Sequence, residues 1–93
     1  MRINQMIWVT HATHIKEFEI EIQFSDGKTF RVDLKSNLTG TLFTPLLNPE
    51  MFKKFTVNAN LDTIVWPNGA DFAPEFLYEL GKKQLSDPSR IQA

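Results

Sequence analysis

Cysteine is absent from the 93 residues, so no disulfide staples the fold and no thiolate holds a metal. That absence fits a reducing compartment, and the cytoplasm is the expected location. No stretch approaches the roughly 20 consecutive apolar residues of a membrane span, and Met1-Arg2-Ile3-Asn4-Gln5 leads into no apolar run of the kind a secretory leader needs. Positive charge is scarce as well. Ten Lys and Arg stand against 11 Asp and Glu, and the only basic pairs are Lys53-Lys54 and Lys82-Lys83. A nucleic-acid binder needs a basic stripe, so nucleic acid is a disfavoured partner. No glycine-rich phosphate loop occurs, and no Ser stands beside a plausible base, so nucleophilic catalysis has no support. The only histidines, His11 and His14, lie in a strand or turn without the ligands that would complete a tetrahedral site. They read as surface turn residues, and no metal and no cofactor is expected.

What the chain does have is rings. Eight Phe and two Trp lie among 42% hydrophobic residues. Each aromatic side chain buries roughly 150–250 Å², so a few can hold a small core together. Residues 1–84 are expected to make a single domain, since a split would leave two pieces too small to be stable, with residues 85–93 as a flexible tail.

Taken in order, Met6–Thr10 is a short apolar run read as a first strand, interrupted by His11–His14. From Phe18 to Phe24 the alternation is unbroken, with Phe18, Ile20, Ile22 and Phe24 on one face and Glu19, Glu21 and Gln23 on the other. Phe30, Val32 and Leu34 resume it, so the two runs form a hairpin. Register decides the turn. A two-residue loop at Asp26-Gly27 would set Phe30 opposite Gln23, apolar against polar. A three-residue loop, Ser25-Asp26-Gly27, pairs Ile22 with Phe30, Ile20 with Val32 and Phe18 with Leu34, and requires Gly27 to be left-handed. On the wet face it opposes Glu21 to Arg31, Glu17 to Lys35, and Glu19 to Asp33.

Thr44-Pro45 and Asn48-Pro49 each look like a capping residue before a proline at the first helical position. They predict short helical turns within residues 42–54 that throw Leu42, Leu46, Leu47 and Phe52 inward. Phe55–Asn58 and Thr63–Trp66 form a second hairpin, which Pro67 ends. After the Asn68-Gly69 turn, a C-terminal helix starts at about Pro74, with Phe76, Leu77 and Leu80 as its apolar stripe and Gly81 as its terminator. The fold expected is α+β: a small antiparallel sheet of about five strands in two hairpins, short helical turns and one C-terminal helix.

Asp62, Asp71 and Glu75 converge, on this reading, near the Pro67–Gly69 turn, where paired carboxylates could do acid–base work. The favoured reading is structural, with Asp71 accepting hydrogen bonds from free N–H groups of the turn or the first helical turn. Trp8 and Trp66 are either interface anchors or core. The Glu17, Glu19 and Glu21 ridge reads as a solvated sheet face, partly neutralised by Arg31 and Lys35.

The run Trp66-Pro67-Asn68-Gly69-Ala70-Asp71-Phe72-Ala73-Pro74 closely resembles the signature of the bacterial domain-of-unknown-function family 2442. Phe24-Ser25-Asp26-Gly27, Val32-Asp33-Leu34, Leu42-Phe43 and Pro45-Leu46 resemble its upstream sections, so the likeness spans residues 6 to about 80. It implies a small prokaryotic, cytoplasmic α+β protein without established enzymatic activity, often encoded beside another small protein and suspected of being its antitoxin-like partner. Trp66, Pro67, Asn68, Gly69, Asp71 and Pro74 are the signature residues it marks for partner binding or for structure. Some relatives carry a C-terminal helix-turn-helix domain, which the residues after Gly81 cannot form. The function expected is therefore a non-enzymatic protein-interaction module, with a small protein as partner. A homodimer through edge strands is also open. The alternatives are a DNA-associated regulator and, behind it, an enzyme using Asp71 and Glu75.

Overall fold

Strong alternation of apolar and charged residues makes the hairpin at residues 18–34 the frame on which everything else is laid. The computed structural model describes residues 6–86. In it β1 (Val9–Lys16), β2 (Glu19–Phe24) and β3 (Thr29–Asp33) form an antiparallel sheet in that order. Ile22 stands opposite Phe30, Ile20 opposite Val32, Glu21 opposite Arg31 and Glu19 opposite Asp33, the register that alternation predicts. The three-residue loop is present: Gly27 has φ 88°, Phe24 N–H donates to the Lys28 carbonyl at 2.8 Å, and Gly27 N–H donates to the Phe24 carbonyl at 2.9 Å. The ladder continues with Leu34 N–H donating to the Phe18 carbonyl at 3.0 Å.

The first strand differs from the reading of its sequence. It begins at Val9 and runs through His11–His14 to Lys16. Register shifts between Val9 and His11 and between His14 and Lys16 let it stay paired with β2. Each bulge adds a residue that breaks the period of two, so the stretch does not read as one strand. A tight turn at Glu17-Phe18 follows, with Glu17 at φ 45°. His14 Nε2–H donates to the Glu17 carbonyl at 2.9 Å, which holds that left-handed residue in place.

Chain reversal after β3 uses short helical turns: Lys35–Asn37, α1 (Gly40–Phe43), Thr44–Leu47 and α2 (Pro49–Phe52). Asn48 caps α2 through its side chain, accepting Glu50 N–H at 2.9 Å. Thr44 makes no such cap; its hydroxyl donates back to the Gly40 carbonyl at 2.7 Å, as a helical threonine does. Leu46 and Phe52 are fully buried, but Leu42 and Leu47 are 46% and 40% exposed, against expectation. A single turn has only one inward position, and Leu46 and Phe52 take it. β4 (Thr56–Asn58) and β5 (Thr63–Val65) then form a separate two-stranded sheet. Val9 N–H donates to the Asp62 carbonyl at 2.9 Å and ties that hairpin to the start of β1.

The last element, α3, runs from Pro74 to Ser86 and packs on β3. It therefore extends past the expected boundary at residue 84. Residues 87–93, the rest of the expected tail, lie outside the described residues. Leu77 is fully buried, Leu80 half-buried, and Phe76 40% exposed. Gly81 does not end the helix. It is buried inside it, and a Cβ built there would sit 2.6 Å from the Phe30 Cβ. The glycine is a contact point that lets the helix backbone touch the sheet. One turn later Gln84 reaches the edge of β3, where its side chain accepts Asp33 N–H at 2.8 Å and donates to the Asp33 carbonyl at 3.0 Å. Those backbone groups point away from β2, so the amide closes part of an otherwise open strand edge. Among the described residues no helix is long and apolar enough to cross a membrane.

In a helix interior Gly→Ala ordinarily gains about 1 kcal/mol. Gly81→Ala is expected to reverse that sign and destabilise the chain by about 1–3 kcal/mol, because Phe30 has nowhere to go. Urea unfolding of the two proteins measures the difference.

Candidate functional site

The corner that follows β5 is built as a second copy of the loop between β2 and β3. Trp66 N–H donates to the Ala70 carbonyl and Gly69 N–H to the Trp66 carbonyl, both at 2.9 Å, around Pro67-Asn68-Gly69 with Gly69 at φ 89°. Proline suits the first turn position, and glycine takes the left-handed one without steric cost. The chain does not pass straight from strand to helix here. It folds back and pairs Asp71 with Val65 before α3 begins.

Trp66 and Ala70 of this corner point inward, while Pro67, Asn68 and Gly69 are exposed. Trp66 is 1% exposed, and its Nε1–H donates to the Phe52 carbonyl at 2.8 Å. Phe52, Phe55 and Phe72 surround its ring at centroid distances of 5.7, 6.0 and 6.0 Å. Trp66 is core, whereas Trp8 is 42% exposed. Asn68 works at both ends: Oδ1 accepts Ala70 N–H at 3.1 Å and Nδ2 donates to the Leu42 carbonyl at 2.9 Å. Thr63, also buried, donates its hydroxyl to the Phe72 carbonyl at 2.6 Å. Pro74 opens α3.

The carboxylates are arranged differently from expectation. Asp71 is exposed, and its side chain makes no hydrogen bond with a described residue; Asn68 takes the turn N–H that Asp71 was expected to accept. Glu75 lines a depression of about 340 Å³ with Ile7, Asp26, Tyr78 and Glu79, and Asp71 is not among its walls. Asp62 sits at the β4–β5 turn with φ 62°, where its backbone bonds Asn58 and Val9. No group of three His, Cys, Asp or Glu that could hold a metal ion occurs among the described residues.

One polar pair was not foreseen from the sequence. Tyr78 Oη–H donates to Asp26 Oδ2 at 2.6 Å, and Lys28 N–H donates to Asp26 Oδ1 at 3.0 Å. The Tyr78 hydroxyl is the main cause that holds the Asp26 carboxyl below its ordinary 3.8, and the same bond raises Tyr78 above 10.0. Across 52 positions no local signal connects the two residues, although the rings of Phe24 and Phe30 meet Tyr78 edge-on at 5.1 and 5.3 Å.

Over residues 9–83 the chain matches the family described as protein of unknown function (DUF2442). It belongs to that family. No curated protein matches it. Among solved structures it is similar to a protein of Nitrosomonas europaea ATCC 19718, whose crystal structure is described as that of a candidate DNA-binding protein. The TM-score is 0.79 at 19% identity, over 94% of this chain and 56% of that one. At that identity the likeness shows a shared fold, and this chain spans little more than half the other protein's length. In this DUF2442 chain the fold is thus held by the corner, by Gly81 and by the Tyr78–Asp26 bond.

Two measurements check these roles. Asn68→Ala, which removes the bonds to the exposed Leu42 carbonyl and the part-buried Ala70 N–H, is expected to cost about 0.5–1.5 kcal/mol in urea unfolding. Asp71→Asn is expected to stay within about 0.5 kcal/mol of wild type, because it breaks no bond to a described residue. For the second pair the sign follows from the two shifts. Asp26 is held low, so its contribution is full above pH 3.8 and lost as pH falls through its folded value. Tyr78 is held high, so its contribution is full below pH 10.0 and lost as pH rises through its folded value. The Tm gap between wild type and Tyr78→Phe should therefore be widest in the neutral range and close at both extremes.

Proposed function

We propose that this chain is a non-enzymatic protein-interaction module. The observation that carries the reading is the placement of large apolar side chains on the surface beside α3. Phe76 and Leu80 line a depression of about 510 Å³, and Leu47 lines another, of about 590 Å³, with Leu38 and Gln84. Phe76 and Leu47 are each 40% exposed in a domain that buries Trp66 completely. Apolar surface gathered around one element marks an interaction site more often than a reaction site. Asp71, which the enzymatic alternative would use with Glu75, is not among the walls of the depression that Glu75 lines with Asp26 and Tyr78.

Family resemblance gives the role its specific form: the cytoplasmic, antitoxin-like partner of the small protein encoded by the adjacent gene. A homodimer through edge strands is a second arrangement. The DNA-associated alternative draws on the fold shared with the Nitrosomonas europaea protein. It is weakened by a net charge of −1.

Co-expression with the product of the neighbouring gene tests the proposal. The expected result is a complex that survives purification and relieves any growth defect caused by that product alone. No complex and no relief, combined with salt-sensitive retention of the chain on DNA, would replace this reading with the alternative.

A further inference from the structure

The depression of about 510 Å³ on the outer side of α3 is walled by Phe76, Glu79, Leu80, Lys82 and Lys83. A stack of rings leads into it. Phe43 lies on Phe72 at 4.6 Å and 25°, and Phe72 lies on Phe76 at 5.4 Å and 16°. Phe72 covers one face of Phe76, and Phe76 is still 40% exposed. Phe76, Leu80 and Lys83 fall at i, i+4 and i+7, which puts them on one stripe of the helix. Their charges are not equivalent. Lys82 pairs with Glu79 at 3.6 Å, whereas Lys83 makes no ion pair with a described residue. The depression therefore offers a flat ring, a branched aliphatic side chain and, in Lys83, a positive charge with no ion-pair partner among the described residues.

We infer that this depression is the docking site for an acidic segment of a partner protein, which seats an aromatic side chain against Phe76 and a carboxylate against Lys83. The inference rests on the interaction-module reading and names the partner's chemistry. Ring stacking supplies the attraction: offset aromatic pairs add to the gain from burial, and Phe76 is already held flat by two rings behind it. Lys83 supplies the selection, since a segment bringing a carboxylate neutralises it and one bringing a cation does not. A nucleobase could also stack there. Single-strand binders, however, combine several open rings with a continuous basic track. Here there is one open ring in the depression, and its two lysines, one of them paired with Glu79, form no continuous track.

The full ¹⁵N-labelled chain, titrated with indole-3-propionate, tryptamine and adenosine monophosphate, tests this by amide chemical shifts. Indole-3-propionate should move residues 76–83, and the other two probes should move them less. Phe76→Ser should weaken the response about two- to tenfold. Lys83→Gln, at an exposed position that leaves the fold intact, should weaken it about two- to fivefold. Shifts centred elsewhere, an equal response to tryptamine, or no loss in Lys83→Gln would overturn the inference. A stronger response to the mononucleotide would also overturn it and assign the ring to nucleic acid. The adjacent-gene product separates this claim from the broader one. If it binds wild type and both variants equally, the module reading stands and this site is wrong. If it binds neither wild type nor variants while indole-3-propionate still maps to residues 76–83, the site stands and the choice of partner is wrong.

Discussion

A single indole holds the two halves of this small domain together. Trp66 leaves β5, is enclosed by Phe52, Phe55 and Phe72, and donates its N–H to the Phe52 carbonyl at the end of α2. A buried carbonyl without a partner costs roughly 1–3 kcal/mol, so the ring and the short helix before β4 depend on each other. The corner that follows keeps the ring in place. Asn68 links it to α1, Gly69 supplies the left-handed turn, and the Val65–Asp71 pairing brings the chain back to launch α3 at Pro74.

From that brace the helix is laid on β3, and it is fixed at three successive points. Tyr78 bonds the β2–β3 loop through Asp26, Gly81 lets the backbone meet Phe30, and Gln84 closes the strand edge at Asp33. With the inner face of α3 fixed in this way, its outer stripe is fixed too. That rigidity is what gives an exposed Phe76 value as a docking anchor, because a preorganised ring loses little freedom when a partner arrives. The path from sequence to proposed function thus runs through packing, with no reactive group along it.

Much of this was legible in the chain. The alternation Phe18–Phe24 and Phe30–Leu34, with Gly27 between, sets register and loop together, because any one-residue slip exposes the whole core face. Asn48-Pro49 and Pro74 announce helix starts through chemistry that few other contexts need. What was hidden is tertiary in origin. Bulges at both ends of β1 disrupt the period of two, so its run through His11–Lys16 does not show itself. Gly81 looks like a helix end, since glycine commonly occurs there, and only the proximity of Phe30 reveals its role. Leu42 and Leu47 look like core because they are leucines. Within the candidate site, the corner was legible as a cluster but its division of labour was not: the Asn68 side chain carries bonds at both ends, and the Asp71 side chain makes none to the described residues.

The central claim, that the corner is a brace and opens only when the whole domain unfolds, is tested most directly by native-state hydrogen exchange at the Trp66 indole N–H. The account predicts that this proton exchanges with the free energy of global unfolding, alongside the amides of β2 and Leu77. Exchange several kcal/mol easier than those amides, by a local opening that leaves the sheet protected, would contradict it.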